Sequence, residues 1–492
     1  MLSVVVFLPL VAAVIPFAVP RVTDRFVRWW WLGAAAADFV LVVILWADYP
    51  NGDGYGYEVN LRWIPSISSG YHIGVDGLSL PLLALTAGLF LACAVYSLRQ
   101  EKRVRSFAVL FLFLETVSLG LFVALDLILF FVFFDLSIVG MYFVIAGWGH
   151  RDAARAAMKF FLYTFVGSLA LLVGFIALYV TASPHTFDLV ELTRQMPLAG
   201  GGWAAGLVLL ALGVGFAIKT PTVPFHTWLP PAHTEAPAAG SAILAGVLLK
   251  MGTYGFVRIA MPILPDTWRR YAIVFVVVGV VSVLYGALVA LGQRDFKRMV
   301  AYTSVNHMGY IILAIGAAGI VGGSAAEARQ LAVTGAVTQM ISHGLITGAL
   351  FLLAGVLYDR GGTYDLDRFG GLAASAPRFA GLTAAAAFAS LGLPGFSGFI
   401  AEFQIFTGSL GAAPVATVLA FLGILITAAL FLRAFQKVFL GKPNAPAADL
   451  TVAEGVSIAP LLLLAVVIGV FPRFLLDLIE PASRSVLNLL AR

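Results

Sequence analysis

Residues 216–255 read FAIKTPTVPFHTWLPPAHTEAPAAGSAILAGVLLKMGTYG. An apolar run from Leu207 reaches Lys219 and is then interrupted by Pro221, Pro224, Pro230 and Pro231, and a second apolar run carries Lys250 between Leu249 and Met251. Proline removes a backbone donor and clashes with the preceding turn, so a helix stops there. Within a membrane such a break is tolerated only where protein or a water-filled cavity satisfies the freed backbone groups. An ionised side chain placed as Lys250 is costs at least about 2.5–3.5 kcal/mol. The stretch therefore has the form of a broken membrane helix followed by a helix with a buried amine.

The rest of the chain has the same character. Of 492 residues, 61% are hydrophobic and 11% charged, against roughly 25% charged in soluble domains. This excludes an ordinary soluble enzyme and a disordered chain. The 50 glycines suit helices packed closely in lipid. Cys93 is the single cysteine, which excludes a disulfide, a cysteine-ligated iron–sulfur cluster and a CxxC redox pair. Gly200–Gly202 does not lie between a strand and a helix as a nucleotide fingerprint requires. The net charge of +5 is explained by basic loops beside apolar spans rather than by nucleic acid.

At about 20 apolar residues per span, fourteen segments emerge: 2–20, 29–47, 77–98, 107–125, 127–148, 159–181, 203–220, 240–261, 271–292, 299–321, 331–357, 378–410, 414–432 and 455–472. The fold class expected is an all-α, polytopic membrane protein, residues 1–492 forming a single membrane domain. The first segment lacks a preceding basic residue and reads as a retained span, not a cleaved signal peptide. With this placement the clusters around Arg21, Arg99, Arg151, Arg294, Arg360 and Arg433 fall on one side, which the positive-inside rule makes cytoplasmic, leaving both termini outside. Arg269 and Arg270 are exceptions. The connection Tyr49–Val75 reads as an outer turn or hairpin, and His72 and His185 receive no role. A second break, Leu393-Pro-Gly-Phe-Ser-Gly398, falls in the twelfth span, five after the first. Paired interruptions mark transport sites, and an odd offset implies a repeat inverted across the membrane.

Asp135 lies nine residues beyond Asp126, about 13 Å into a hydrocarbon layer of about 30 Å. Glu115, Lys219, Lys250 and Glu402 are similarly placed in apolar surroundings. Any one of them reads simply as half of a buried ion pair. Three carboxylates and two lysines on separate spans read better as a chain of titratable groups, since intramembrane charges default to function. His343 shares a helical face with Gln339 and Thr347, and His307 with Thr303 and Tyr310; each is either an interhelical hydrogen bond or a proton relay. His226 and His233 flank the first break, with no convincing third ligand for a metal. His150 and Lys159 are expected at the inner interface, solvated. Moving one charge against about 150 mV costs about 3.5 kcal/mol, comparable to the roughly 4.6 kcal/mol needed to strip a lysine of reference pKa about 10.4 of its proton at neutral pH. Making and breaking one Asp–Lys contact is on the right energetic scale to load and release a proton, provided the work comes from outside the chain.

Four stretches carry a family likeness: FFVFFDLSIVGMYFVIAGWG (Phe130–Gly149), the 216–255 segment, QRDFKRMVAYTSVNHMGY (Gln293–Tyr310) and LGLPGFSGFIAEF (Leu391–Phe403). The chain resembles the antiporter-like membrane subunits of proton-translocating NADH:quinone oxidoreductase, respiratory complex I, with the nearest likeness to the subunit M branch. The resemblance implies fourteen spans, two inverted five-helix repeats at 107–261 and 271–432, and broken helices in spans 7 and 12. It implies that Asp135 pairs with Lys219, that Lys250 is the central connecting lysine, that Glu402 is the point of outward release, and that His226, His307 and His343 are relay positions. Asp135 stands where the family usually has Glu, one methylene longer, so its contact with Lys219 is expected to be longer or bridged by water. No cofactor or metal is expected in this chain; NADH, flavin, iron–sulfur clusters and quinone belong to partner subunits, and the partners are the other membrane-arm subunits, the lipid bilayer and protons, with no nucleic acid. The location implied is the bacterial inner membrane.

Two other readings compete: a subunit of a multi-subunit Na⁺/H⁺ antiporter, and a structural spacer that moves no ions. The acidic residue at 402, where sibling chains tend to carry Lys, favours subunit M. The lack of a long lateral helix after the fourteenth span argues against the largest sibling.

Overall fold

The computed structural model describes residues 1–19, 21–49, 54–320, 322, 325–443 and 447–490. Helices α1 (Leu2–Ala18) and α2 (Asp24–Ala47) are followed by an antiparallel hairpin, β1 (Gly56–Ile64) and β2 (Ser69–Val75). Then come α3 (Ser79–Tyr96), α4 (Val104–Val123), α5 (Leu127–Trp148), α6 (Ala153–Thr181) and a short α7 (Leu189–Gln195). Next are α8 (Trp203–Lys219), α9 (Leu229–Glu235), α10 (Ala238–Ile263), α11 (Pro265–Leu291), α12 (Phe296–Gly319) and α13 (Ala326–Gly361). The chain continues through α14 (Pro377–Ser390), α15 (Ser397–Leu410), α16 (Pro414–Phe439), α17 (Val452–Val470) and α18 (Arg473–Leu490).

Among the described residues, ten helices are long and apolar enough to cross a membrane. The remaining segments fall short for identifiable reasons. α1 and α8 have 17 residues each. α12 has 24 residues but carries Thr303, Ser304, Asn306 and His307 on its buried surface. The segment expected as one span at 378–410 is two 14-residue helices, α14 and α15, separated by a turn in which Gly392 and Gly395 have positive φ. Several helices begin earlier than their apolar runs: α2 starts at Asp24, where the Thr23 hydroxyl accepts from the Phe26 N–H at 3.3 Å. A polar first turn projecting past the hydrocarbon is capped and costs nothing there.

α10 and α13 form the centre, their apolar windows wholly buried. They meet back to back at Gly246 and Gly344, where a Cβ on either would lie about 3 Å from the other's carbonyl oxygen. That approach brings Lys250, one turn beyond Gly246, beside His343. α10 also contains two π-helical turns, Leu244–Leu248 and Phe256–Ala260. Such wide turns shift backbone hydrogen bonds to i→i+5 and recur at functional sites.

α18 was not foreseen as a helix. Leu475, Leu478, Ile479, Val486, Leu487 and Leu490 line its buried side, and it packs across one end of the bundle against α11 and α13. The hairpin expected within Tyr49–Val75 is present, its residues 50–53 lying outside the described set. His72, assigned no role from sequence, is a buried clamp: Nδ1 lies 2.5 Å from Asp188 and Nε2 2.7 Å from Glu58. Burial pushes the imidazole's proton affinity down, but the two carboxylates more than offset this and raise it above the ordinary 6.5. A raised folded value means the clamp is fully present below pH about 6.5 and is lost as pH rises through the raised value. Amide exchange across residues 56–75 is therefore expected to quicken with rising pH above that point, beyond its ordinary base catalysis, and His72→Gln is expected to remove the excess. An identical pH response in His72→Gln refutes the clamp.

Candidate functional site

Four helices from distant parts of the chain contribute one row of side chains. Lys250 on α10 is fully buried, and its Nζ lies 2.7 Å from His343 Nδ1 on α13 and 2.5 Å from the Ala245 carbonyl, to which it donates. That carbonyl belongs to the first π-helical turn. Whichever partner holds the proton, the pair shares one hydrogen bond: an ammonium donates to a neutral Nδ1, or the Nδ1–H donates to a neutral amine.

The His343 ring centre is 5.4 Å from that of His307 on α12. His307 Nδ1 accepts from the Gln339 amide at 3.2 Å and lies 3.8 Å from Glu402 Oε1 on α15; its Nε2 is 3.2 Å from the Ser390 hydroxyl. With the amide donating to Nδ1, the neutral ring carries its proton on Nε2 and donates to Ser390. Glu402 is buried. Its carboxylate is pressed against the second helix break, so that a Cβ at Gly392 would collide with Oε2. Between His307, Ser342, His343, Ser390 and Glu402 lies a cavity of about 10 Å³, about the minimum for one water molecule.

Lys219, at the end of α8, is buried and donates to the Ser137 hydroxyl at 2.8 Å, with Nζ 4.8 Å from the Phe134 ring centre. Asp135 is half-buried on α5 and accepts from Ser168 on α6. Among the described residues no ion pair joins Asp135 to Lys219. Ser137, two residues along the same helix, takes the lysine's hydrogen bond, so each member of the expected longer or water-bridged Asp135–Lys219 contact is held by a serine hydroxyl. The backbone of Phe216 and Thr220 passes against Gly252, which sets the end of α8 beside the α10 segment that bears Lys250.

The remaining expected residues stand apart from this row. His226 follows the α8 break, its ring 4.9 Å from Tyr285. Glu115 on α4 is wholly buried, and its electrostatic neighbour is Asp38 on α2 rather than a lysine. Asp38 was missed in the sequence although it interrupts an apolar run between Ala37 and Phe39, the same signal that marked Glu115. Ser137, Ser168 and Ser390 carry no sequence signal, since serine is common in membrane helices as a packing residue. Among the described residues no group of three or more His, Cys, Asp or Glu could hold a metal.

A family model described as NADH:quinone oxidoreductase/Mrp antiporter, TM, matches residues 124–427. NADH-quinone oxidoreductase subunit M of Rickettsia conorii is 37% identical over 505 residues, covering 100% of this chain and 99% of the relative. A chain of the respiratory complex I from Thermus thermophilus with bound NADH superposes with a TM-score of 0.90 at 31% identity, covering 100% of both chains. A chain of the Mrp complex from Dietzia reaches a TM-score of 0.85 with 99% coverage of both but only 22% identity, a likeness of fold alone. The chain therefore belongs to the NADH:quinone oxidoreductase/Mrp antiporter family of membrane subunits, on its NADH-quinone oxidoreductase subunit M side.

Proposed function

We propose that this subunit moves protons across the bacterial inner membrane along Asp135, Lys219, Lys250, His343, His307 and Glu402, driven by quinone reduction in partner subunits of complex I. One observation carries the reading: Lys250, His343, His307 and Glu402, from four helices, stand within a hydrogen bond or one small cavity of each other in the buried centre. Each can hold or pass a proton, and bridging by single waters is sufficient for transfer. The two helix breaks, at the end of α8 and between α14 and α15, place interrupted backbone beside Lys219 and Glu402. That is where water can enter without exposing backbone to lipid.

In this reading the chain crosses the membrane fourteen times as two inverted five-helix repeats, 107–261 and 271–432. Its basic loops face the cytoplasm and both termini the outside. Contacts on the basic side support the grouping: Arg360 pairs with Glu454, Lys437 with Asp367, and Arg28 donates to the Gln100 carbonyl. A perturbation at Asp135 and Ser137 by a neighbouring subunit changes the hydrogen bonding of Lys219 and shifts its proton toward Lys250. Glu402 releases the proton outward.

The test is the parent complex carrying Lys219→Ala, reconstituted in vesicles, with proton uptake measured per NADH oxidised. Uptake is expected to fall by this subunit's share. Unchanged uptake in a fully assembled complex leaves only the spacer reading.

A further inference from the structure

We infer that the groove between α8 and α11 seats one anionic phospholipid, its headgroup at Arg270 and one acyl chain running inward to the α8 helix break. The seat depends only on the membrane placement of these two helices, whether or not the chain moves protons.

The beginnings of α8 and α11 are tied together, the Gly200 N–H donating to Asp266 at 2.8 Å. Beyond that tie the two helices leave a groove of about 590 Å³, within the roughly 300–1,000 Å³ of small-molecule sites. Its walls are apolar, with Leu207, Leu210 and Gly213 on α8 and Val274, Phe275 and Val278 on α11. Leu207, Leu210 and Val274 are half exposed or more, so the groove opens toward lipid. Gly213 keeps it deep, since a Cβ there would meet nothing within 4 Å. Between Trp203 and Ala217, which both line the groove, α8 rises about 21 Å. That exceeds one leaflet's share, about 15 Å, of the hydrocarbon layer, so a chain entering at the mouth reaches the break.

The inner end suits hydrocarbon rather than water. It is formed by Thr222, Val223, Pro224 and Phe225 of the break, and broken backbone at this depth must have its polar groups satisfied. Pro221 and Pro224 have no N–H to satisfy. The Thr222 N–H donates to the Ala217 carbonyl at 3.1 Å, and the Val223 N–H to the Ser282 hydroxyl of α11 at 3.0 Å. Every N–H that exists from residue 221 to 224 is therefore bonded within the protein, and an acyl chain lies against this wall without stranding a donor.

The mouth selects the headgroup. Trp203, 80% exposed in the first turn of α8, and Tyr271 on α11 both line it, and such rings sit at headgroup depth. Arg269 is engaged by Asp266 and by the Leu490 carbonyl. Arg270 is exposed, enters no ion pair among the described residues, and holds its guanidinium 5.8 Å from the Tyr271 ring centre. It is one of the two arginines that break the one-sided charge pattern of the loops, and a lipid phosphate at the groove mouth supplies its counter-charge. One arginine beside an anionic lipid, at about 1 kcal/mol, corresponds to about a fivefold preference over a zwitterionic one.

The test uses the parent complex in phosphatidylcholine nanodiscs doped with a phospholipid that carries a photoactivatable diazirine at the end of one acyl chain. The probe is either phosphatidylglycerol or phosphatidylcholine, and labelled residues are mapped by mass spectrometry. Residues 213–225 are expected to be labelled about fivefold more by the phosphatidylglycerol probe, other lipid-facing helices showing a ratio near one. Arg270→Gln is expected to bring the groove's ratio to one while phosphatidylcholine labelling holds. Gly213→Phe fills the groove at a position with open space around it, and is expected to abolish labelling of residues 217–225 by both probes. Equal labelling by the two probes in the unmodified complex, or a preference that survives Arg270→Gln, overturns the headgroup seat. Labelling that survives Gly213→Phe overturns the chain's path. An unlabelled groove beside labelled lipid-facing helices overturns the lipid altogether and assigns the groove to a protein helix.

Discussion

In vesicles containing the parent complex, Lys250→Met is expected to remove this subunit's whole share of proton uptake per NADH while leaving the fold at least as stable. Lys250 touches both the π-helical turn, through Ala245, and the histidine row, through His343. Methionine fills the same volume and holds no proton. The stability side is decided by magnitudes. Losing the amine leaves the Ala245 carbonyl and His343 Nδ1 unpaired, at about 1–3 kcal/mol each. It also ends the burial of an ionisable amine with no carboxylate among its hydrogen-bond partners in the described residues, where the effective penalty per ion is several kcal/mol. The relief matches or exceeds the loss, so the thermal midpoint is expected to hold or rise. A sharp drop in midpoint with normal pumping would assign Lys250 a packing role instead.

Much of this row was legible in the sequence because membrane cost makes buried charge conspicuous. Lys219, Lys250 and Glu402 stand out against apolar neighbours, and the prolines at 221, 224 and 394 mark both helix breaks. Pairing was not legible. Asp135 and Lys219 look like partners, but Ser137 and Ser168 take their hydrogen bonds, and hydroxyls carry no cost signal. His72 read as a loop residue because both its carboxylates, Glu58 and Asp188, become neighbours only once the hairpin folds onto the α6–α7 connection. Lys297 counted only as one of the basic cluster around Arg294 that orients the chain; helical rotation turns it inward while Arg298 stays exposed. α18 was overlooked because its apolar residues form a stripe rather than a run, the signature of a helix lying on a surface.

Arg258→Met is expected to destabilise the subunit by about 3–5 kcal/mol, the cost of leaving a buried carboxylate without its counter-ion. Arg258 sits in the second π-helical turn of α10, its side chain 7% exposed, and pairs with Asp76, itself 13% exposed, at the β2–α3 junction. It also donates to Tyr254 Oη at 2.9 Å and Tyr55 Oη at 3.2 Å, while Tyr254 donates to the Phe122 carbonyl at 2.9 Å. One guanidinium thus ties the hairpin end, α10 and α4 together, using the planar fork that lysine lacks. Burial pushes the Asp76 carboxyl up, but Arg258 and the N–H groups of Ser79 and Leu78 outweigh this and hold it below the ordinary carboxylate value. A depressed folded value contributes stability that is present above pH about 3.9 and lost as pH falls through the lower folded value, so the pair is fully engaged at neutral pH. Because the loss stems from the orphaned charge, Asp76→Asn added to Arg258→Met is expected to recover at least half of it: asparagine still accepts the two backbone N–H bonds through its side-chain oxygen and carries no charge. The measurement is the thermal midpoint of the detergent-solubilised subunit for the two single variants and the double. A double variant no more stable than Arg258→Met would show that the tyrosine contacts, not the ion pair, are what Arg258 supplies to this end of the bundle.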